Sequence, residues 1–143
     1  MSEGIIMEYD NQNIFAKIIR KELPAEIVFE NDHCIAIMDI MPRSDGHVLV
    51  LPKSQCRNIL DADPHQLNEC INLVQKISKA VLSAFNADGV TIQQFNESAG
   101  GQEVFHLHFH ILPRFNGVSL RPPGRMEDSS LVKANCVKII STM

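Results

Sequence analysis

The 143-residue sequence predicts an α+β domain, a mainly antiparallel sheet with helices segregated to one face. Two observations predict it. A long stretch after residue 63 carries apolar residues at three- and four-residue steps, the period of an amphipathic helix. Around it, short apolar runs bounded by turn residues give the order α-β-β-β-α-β-β. The length suits one domain, and 45% hydrophobic content suffices for a core. The chain has no internal repeat and no low-complexity segment.

Residues 1–12 read as a loose tail, residues 13–124 as the folded domain, and residues 125–143 as a C-terminal tail with a short helix over Leu131 to Ile140. Asn13 is placed to cap a helix "IFAKIIRKEL", with Ile14, Phe15, Ile18 and Ile19 on one side and Pro24 ending it. "AEIVFEN" and "CIAIMDI" follow as strands joined through Asn31-Asp32. "MPRSDG" is a loop, and "HVLVLPK" an apolar strand closed by Pro52. Asp63-Pro64 then supplies an N-cap and a proline for the first turn of the long helix. Its apolar positions, Leu67, Ile71, Val74, Ile77, Val81, Leu82 and Phe85, run to a stop at "NADG". "VTIQQFN" is the next strand, "ESAGGQ" a glycine-bearing loop, and "VFHLHFHIL" the last strand.

Charge narrows the partners. The formal net charge is −4, and no basic cluster exceeds Arg20-Lys21, so a nucleic-acid partner is not expected. A small phosphorylated ligand remains compatible, since backbone amides and neutral imidazoles hold a phosphate without net positive charge. Cys34, Cys56, Cys70 and Cys136 contain no CxxC pair and read as reduced thiols of a cytoplasmic protein. The first residues lack a signal-peptide pattern, and no run of 18 apolar residues suggests a membrane span.

Three of the six histidines fall in "EVFHLHFHILPR". On a strand, His106, His108 and His110 share one face, while Leu107, Phe109 and Ile111 share the other and pack against the long helix. Three readings fit the histidine face. They could be solvated side chains on an open sheet. They could bind a metal, with His47 or a cysteine completing the set. Or a neutral imidazole could act as a nucleophile toward phosphorus, its other nitrogen held by a hydrogen bond. The third reading also employs the neighbours: Gly100 and Gly101 permit close approach of backbone N–H groups, and Asn96 and Gln102 add neutral donors.

"HLHFHIL" has the alternating histidine–apolar signature of the histidine triad (HIT) nucleotide-binding proteins. "NIFAKIIRKELPAEIVFENDHCIAIMDIMPRSDGHVLVLPK" resembles the N-terminal half of the family's Hint branch, and the resemblance covers about residues 13 to 124. It implies a HIT-like fold, a five-stranded antiparallel sheet with one long and one short helix, in homodimers whose sheets join into ten strands. It implies attack at the α-phosphate of a purine nucleoside phosphoramidate or related nucleotidyl conjugate, through a nucleotidyl-histidine intermediate, with release of the nucleoside monophosphate. On these positions His108 is the nucleophile, and His110 contacts the phosphate and leaving group. The His106 carbonyl holds the His108 ring, and the His106 side chain and His47 support them. Asn96, Gly101 and Gln102 match phosphate and ribose contacts. Ile14, Phe15, Ile18, Ile37, Asp39 and Ile40 match the nucleoside pocket, Asp39 accepting from the ribose hydroxyls.

The same apolar residues at helical spacing also read as core, and Asp39 also reads as a turn former at a strand end. Asn13-Ile14-Phe15-Ala16 stands where many bacterial relatives carry the CxxC of a structural zinc, and neither metal nor cofactor is expected. Glu103 replaces the serine usual after the loop glutamine. "ILPRF" is closer to the dinucleoside polyphosphate hydrolases of the same family. Such a hydrolase, a nucleotide-binding module with incidental catalysis, and a metal-dependent hydrolase using the same histidines are the alternative functions.

Overall fold

The computed structural model describes residues 7–143. Its elements are α1 (Ile14–Ile19), β1 (Ile27–Glu30), β2 (Cys34–Met38), β3 (Val48–Pro52), α2 (Pro64–Ala84), β4 (Gly89–Gln93), β5 (Phe109–Arg114) and α3 (Ser129–Ile140), with a 3₁₀ turn at Ser98–Gly100. The strands form one antiparallel five-stranded sheet in the order β1-β2-β3-β5-β4. No helix among the described residues is long and apolar enough to cross a membrane.

Local signals set the element ends. The Asn13 side chain accepts from the Ala16 amide and opens α1. The helix stops at Ile19, a turn short of the expected end, because Lys21 takes a positive φ of 65°. Asn31 Oδ1 accepts from the amides of His33 and Cys34 and closes the β1–β2 turn. Asp63 caps α2 through the amides of His65 and Gln66, with Pro64 in its first turn.

Alternation divides β2 and β3 between two apolar clusters. Cys34, Ala36, Met38, Val48 and Val50 face a main core with Cys70, Leu73, Val74, Ile77, Ala80 and Val81 of α2. Leu107, Phe109 and Ile111 join this core, as their alternation requires. Ile35, Ile37, Leu49 and Leu51 face the other way and pack with Phe15 of α1. The histidines stand on this second face.

One expectation about the helices changes and another is extended. Ile71 and Leu82 are exposed, because the buried stripe of α2 runs through Cys70, Leu73, Val74, Ile77, Ala80 and Val81. The C-terminal segment contributes a three-turn helix, α3, capped by Asp128, and Val132, Cys136 and Ile139 enter the main core. Four buried free thiols complete the interior.

Gly46, just before β3, shows why the "DG" of the loop matters. Its φ is +85°, and an added Cβ would lie 2.3 Å from Cε2 of Phe85. Strain and overlap together give Gly46→Ala an expected loss of roughly 2–5 kcal/mol. A urea unfolding midpoint unchanged by the substitution would show that the loop and the end of α2 are not locked together.

Candidate active site

β5 begins only at Phe109, so His106 and His108 precede the strand instead of lying within it. The Leu107 amide donates to the Cys56 carbonyl, 3.0 Å away, and draws this approach segment under the 56–61 loop. The open, solvated face considered for the histidines is absent. His106 is 1% exposed, His108 9% and His47 1%, with His110 half-buried. Burial disfavours the imidazolium. Desolvation, the largest cause for each, lowers His47 and His110 to about 3 and His106 to about 4, and lowers His108 as well. All four rings are neutral at pH 7.

Neutral rings bonded to groups of fixed polarity have determined tautomers. The Pro52 carbonyl only accepts, so His106 donates to it from Nε2 at 2.8 Å. Its Nδ1 therefore accepts from the Tyr9 hydroxyl. The His106 carbonyl in turn accepts from His108 Nδ1 at 2.7 Å, which places the lone pair of His108 on Nε2. A second series starts from the Arg43 amide, which donates to His47 Nδ1 at 3.1 Å. His47 must then carry its proton on Nε2 and donate it to His110 Nδ1 at 2.9 Å. His110 is left with Nε2–H, a donor. The His108 and His110 rings lie 5.0 Å apart between centroids, so a free lone pair and a free N–H stand side by side.

The surroundings brace these rings. Phe15 meets His108 edge-on at 4.8 Å between centroids, and Phe95 meets His110 at 5.8 Å. Asp39 has two duties: Oδ1 accepts from the Met41 amide at 2.8 Å, while Oδ2 lies 3.5 Å from His47 Nε2. Asp39, His47 and His110 also lie close enough for their donor atoms to surround a metal ion. Both nitrogens of His47 are already in hydrogen bonds, however, so a metal there would have to displace the His47–His110 contact.

Residues 20–117 match the HIT domain family. The chain belongs to that family. A crystal structure of a Hit-like protein involved in cell-cycle regulation from Bartonella henselae, with an unknown ligand, is 51% identical, with a TM-score of 0.92 over 96% of this chain and 100% of that one. A hypothetical histidine triad nucleotide-binding protein from Sulfolobus tokodaii is 32% identical, with a TM-score of 0.83 over 90% of this chain and 89% of that one. The adenylylsulfatase HINT3 of Arabidopsis thaliana is 36% identical over 104 residues, 73% of this chain and 53% of that protein.

Within this HIT domain the loop before the triad is built differently from the sequence expectation. Gly101 takes a φ of +98° and packs its Cα side against Phe95, as only glycine does easily. The amides of Gly100 and Gln102 donate to the Glu97 carbonyl and that of Gly101 to Ser98, so these N–H groups close the loop on itself. Gln102 is a clamp: Nε2 donates to the Arg57 and Val104 carbonyls, and Oε1 accepts from Asn58 Nδ2 and the Glu97 amide. All of its amide valences are engaged within the chain, so it has none to offer a phosphate. Asn96 accepts from the Ile59 amide and exchanges bonds with the Gln94 side chain. Glu103 is exposed.

The apolar set divides likewise. Phe15 and Ile37 are buried and Ile18 packs against them, whereas Ile14 and Ile40 are 50% and 48% exposed. The core reading thus holds for Phe15, Ile18 and Ile37, while Ile14 and Ile40 keep exposed apolar surface. Sequence reasoning missed Tyr9, Arg43, Arg57 and Glu97. Arg57 forms a two-pronged pair with Glu97, which sits at a positive φ of 65° and so shapes the loop. Residues 1–6 of the expected tail lie outside the described residues, while Tyr9, in the remainder, reaches His106.

Proposed function

We propose that the chain is a nucleotide-binding hydrolase acting at the α-phosphate of purine nucleoside phosphoramidates or related nucleotidyl conjugates. The observation that carries it is the bond from His108 Nδ1 to the His106 carbonyl, which fixes the tautomer with the Nε2 lone pair free, while burial keeps the ring neutral. His108 Nε2 attacks phosphorus as the P–N bond breaks, and the amine departs with a proton drawn from water. The ring then bears positive charge, which the Nδ1–H···O=C bond stabilises. The hydroxide left by that proton transfer next attacks phosphorus, the Nε2–P bond breaks with its electron pair returning to Nε2, and the nucleoside monophosphate leaves.

His110 serves as a fixed donor to the phosphoryl oxygens, where negative charge develops. It is a poor proton source, because replacing its Nε2 proton through Nδ1 would leave His47 an imidazolate. Ile14 and Ile40 offer exposed apolar surface for the base over a floor of Phe15, Ile18 and Ile37, with Asp39 Oδ2 for the ribose hydroxyls. Gly101 lets the ligand approach the loop that Gln102 and Asn96 hold in shape. The active form is a homodimer whose two sheets join into ten strands, as the family resemblance implies. No metal or cofactor takes part, and the compartment is the cytoplasm.

The test is AMP release from adenosine 5′-phosphoramidate, with adenylyl sulfate as a second substrate because a relative bears the name adenylylsulfatase. Each is assayed with and without EDTA. Turnover indifferent to EDTA is the expected result. Turnover stopped by EDTA would make the imidazoles metal ligands, and AMP binding without turnover would reduce the chain to a binding module.

A further inference from the structure

Outside the triad, a second group of metal-ligating side chains meets at the junction of the β1–β2 turn and the start of α2. The ligand atoms of His33, His65 and Glu69 all lie within 4.8 Å of one another. His65 and Glu69 are four apart on α2 and so share a face, with His65 Nε2 3.9 Å from Glu69 Oε1. That separation exceeds a hydrogen bond but is near the spacing of two ligands on one ion: bonds of about 2.0–2.1 Å at a tetrahedral centre put donor atoms roughly 3.3 Å apart. The His33 ring stands at 90° to that of His65 with centroids 5.7 Å apart, so the two can direct nitrogens to a common point.

The backbones beneath are fixed. Asn31 Oδ1 holds the His33 amide at 2.9 Å, and the His33 carbonyl accepts from the Lys53 amide at 2.8 Å. Asp63 and Pro64 fix the first turn of α2. His65 itself has a side chain 64% exposed and is free to swing inward.

We propose that His33, His65 and Glu69 form a surface site for a zinc-type divalent metal ion, with water in the fourth position. Two imidazoles and one carboxylate suit zinc and its neighbours, whereas calcium and magnesium require mainly oxygen ligands. The ion would staple the β1–β2 turn to α2. It would also brace the strand end at Pro52-Lys53, whose Pro52 carbonyl anchors His106.

Equilibrium dialysis against zinc chloride, with calcium chloride as control, tests this on wild type, His65→Ala and Glu69→Gln. Wild type should bind a zinc ion that His65→Ala binds at least tenfold more weakly, Glu69→Gln should fall between them, and calcium should not compete. Zinc should raise the melting temperature of wild type by several degrees and leave that of His65→Ala unmoved. Zinc held at Asp39, His47 and His110 would appear equally in both proteins and cancel in the comparison. Melting without metal checks that the variants fold, which their surface positions favour. Equal zinc binding by wild type and His65→Ala overturns the site, as does no binding by wild type at 100 μM zinc.

Discussion

His108→Ala should lose turnover of adenosine 5′-phosphoramidate by roughly 10³-fold or more while still binding AMP, because the variant lacks the Nε2 atom proposed to form the covalent intermediate. The other participants remain. His110 keeps its Nε2–H, since that proton is set by His47 and Arg43 rather than by His108. The apolar slot and Asp39 are untouched, so ground-state binding should change little. The substitution leaves the His106 carbonyl without its donor and removes a ring that Phe15 meets edge-on, a loss of about 1–3 kcal/mol in stability. Folding is therefore checked by melting before activity is compared. A kcat within tenfold of wild type in a folded, AMP-binding variant would remove His108 as nucleophile. In that event His110 would not inherit the role, because its Nδ1 is occupied and its Nε2 carries hydrogen.

The contrast between His108 and His110 shows what the sequence could and could not disclose. Alternation alone places Leu107, Phe109 and Ile111 in the core and the histidines opposite, and the structure keeps that division. The long helix was legible for a similar reason: its cap, its proline and its period are all local. Its exposed Ile71 and Leu82 were not, since only the packed neighbours decide which of two adjacent apolar stripes is buried.

Tautomers lay further out of reach. They depend on the Pro52 and His106 carbonyls and the Arg43 amide, and main-chain groups leave no mark on residue type. The Tyr9 contact spans 97 residues of sequence and joins a segment with no periodicity of its own. Gln102 misled for a subtler reason. Glutamine beside glycines suits a phosphate contact, but the same amide meets Glu97 and Val104 of its own loop and Arg57 and Asn58 of the 56–61 loop once Glu97 turns through positive φ.

Acid should destabilise this protein steeply and well above the usual carboxylate range. His47 and His110 titrate near 3 and His106 near 4 in the folded chain, against an ordinary imidazole value near 6.5. Well above pH 6.5 these rings are neutral whether the chain is folded or not, and there they add no pH dependence. Between 6.5 and 4 the unfolded chain takes up protons that the folded chain refuses, so stability falls as pH falls. Each such proton contributes about 1.4 kcal/mol per pH unit, so three give on the order of 4 kcal/mol per unit in the middle of that window. His108, lowered in the same direction, steepens the fall.

Against a total stability of about 5–15 kcal/mol, that slope suffices to unfold the domain between roughly pH 4 and 5. Urea midpoints at pH 7, 6, 5 and 4.5 measure it directly. His106→Gln, which can still donate to the Pro52 carbonyl but cannot titrate, should reduce the slope by about a quarter to a third. A stability flat from pH 7 to 5 would mean that the rings accept protons while folded. The tautomer series that frees His108 Nε2 and fixes the His110 donor would then fail together with the acid response, because both rest on the same neutral, desolvated imidazoles.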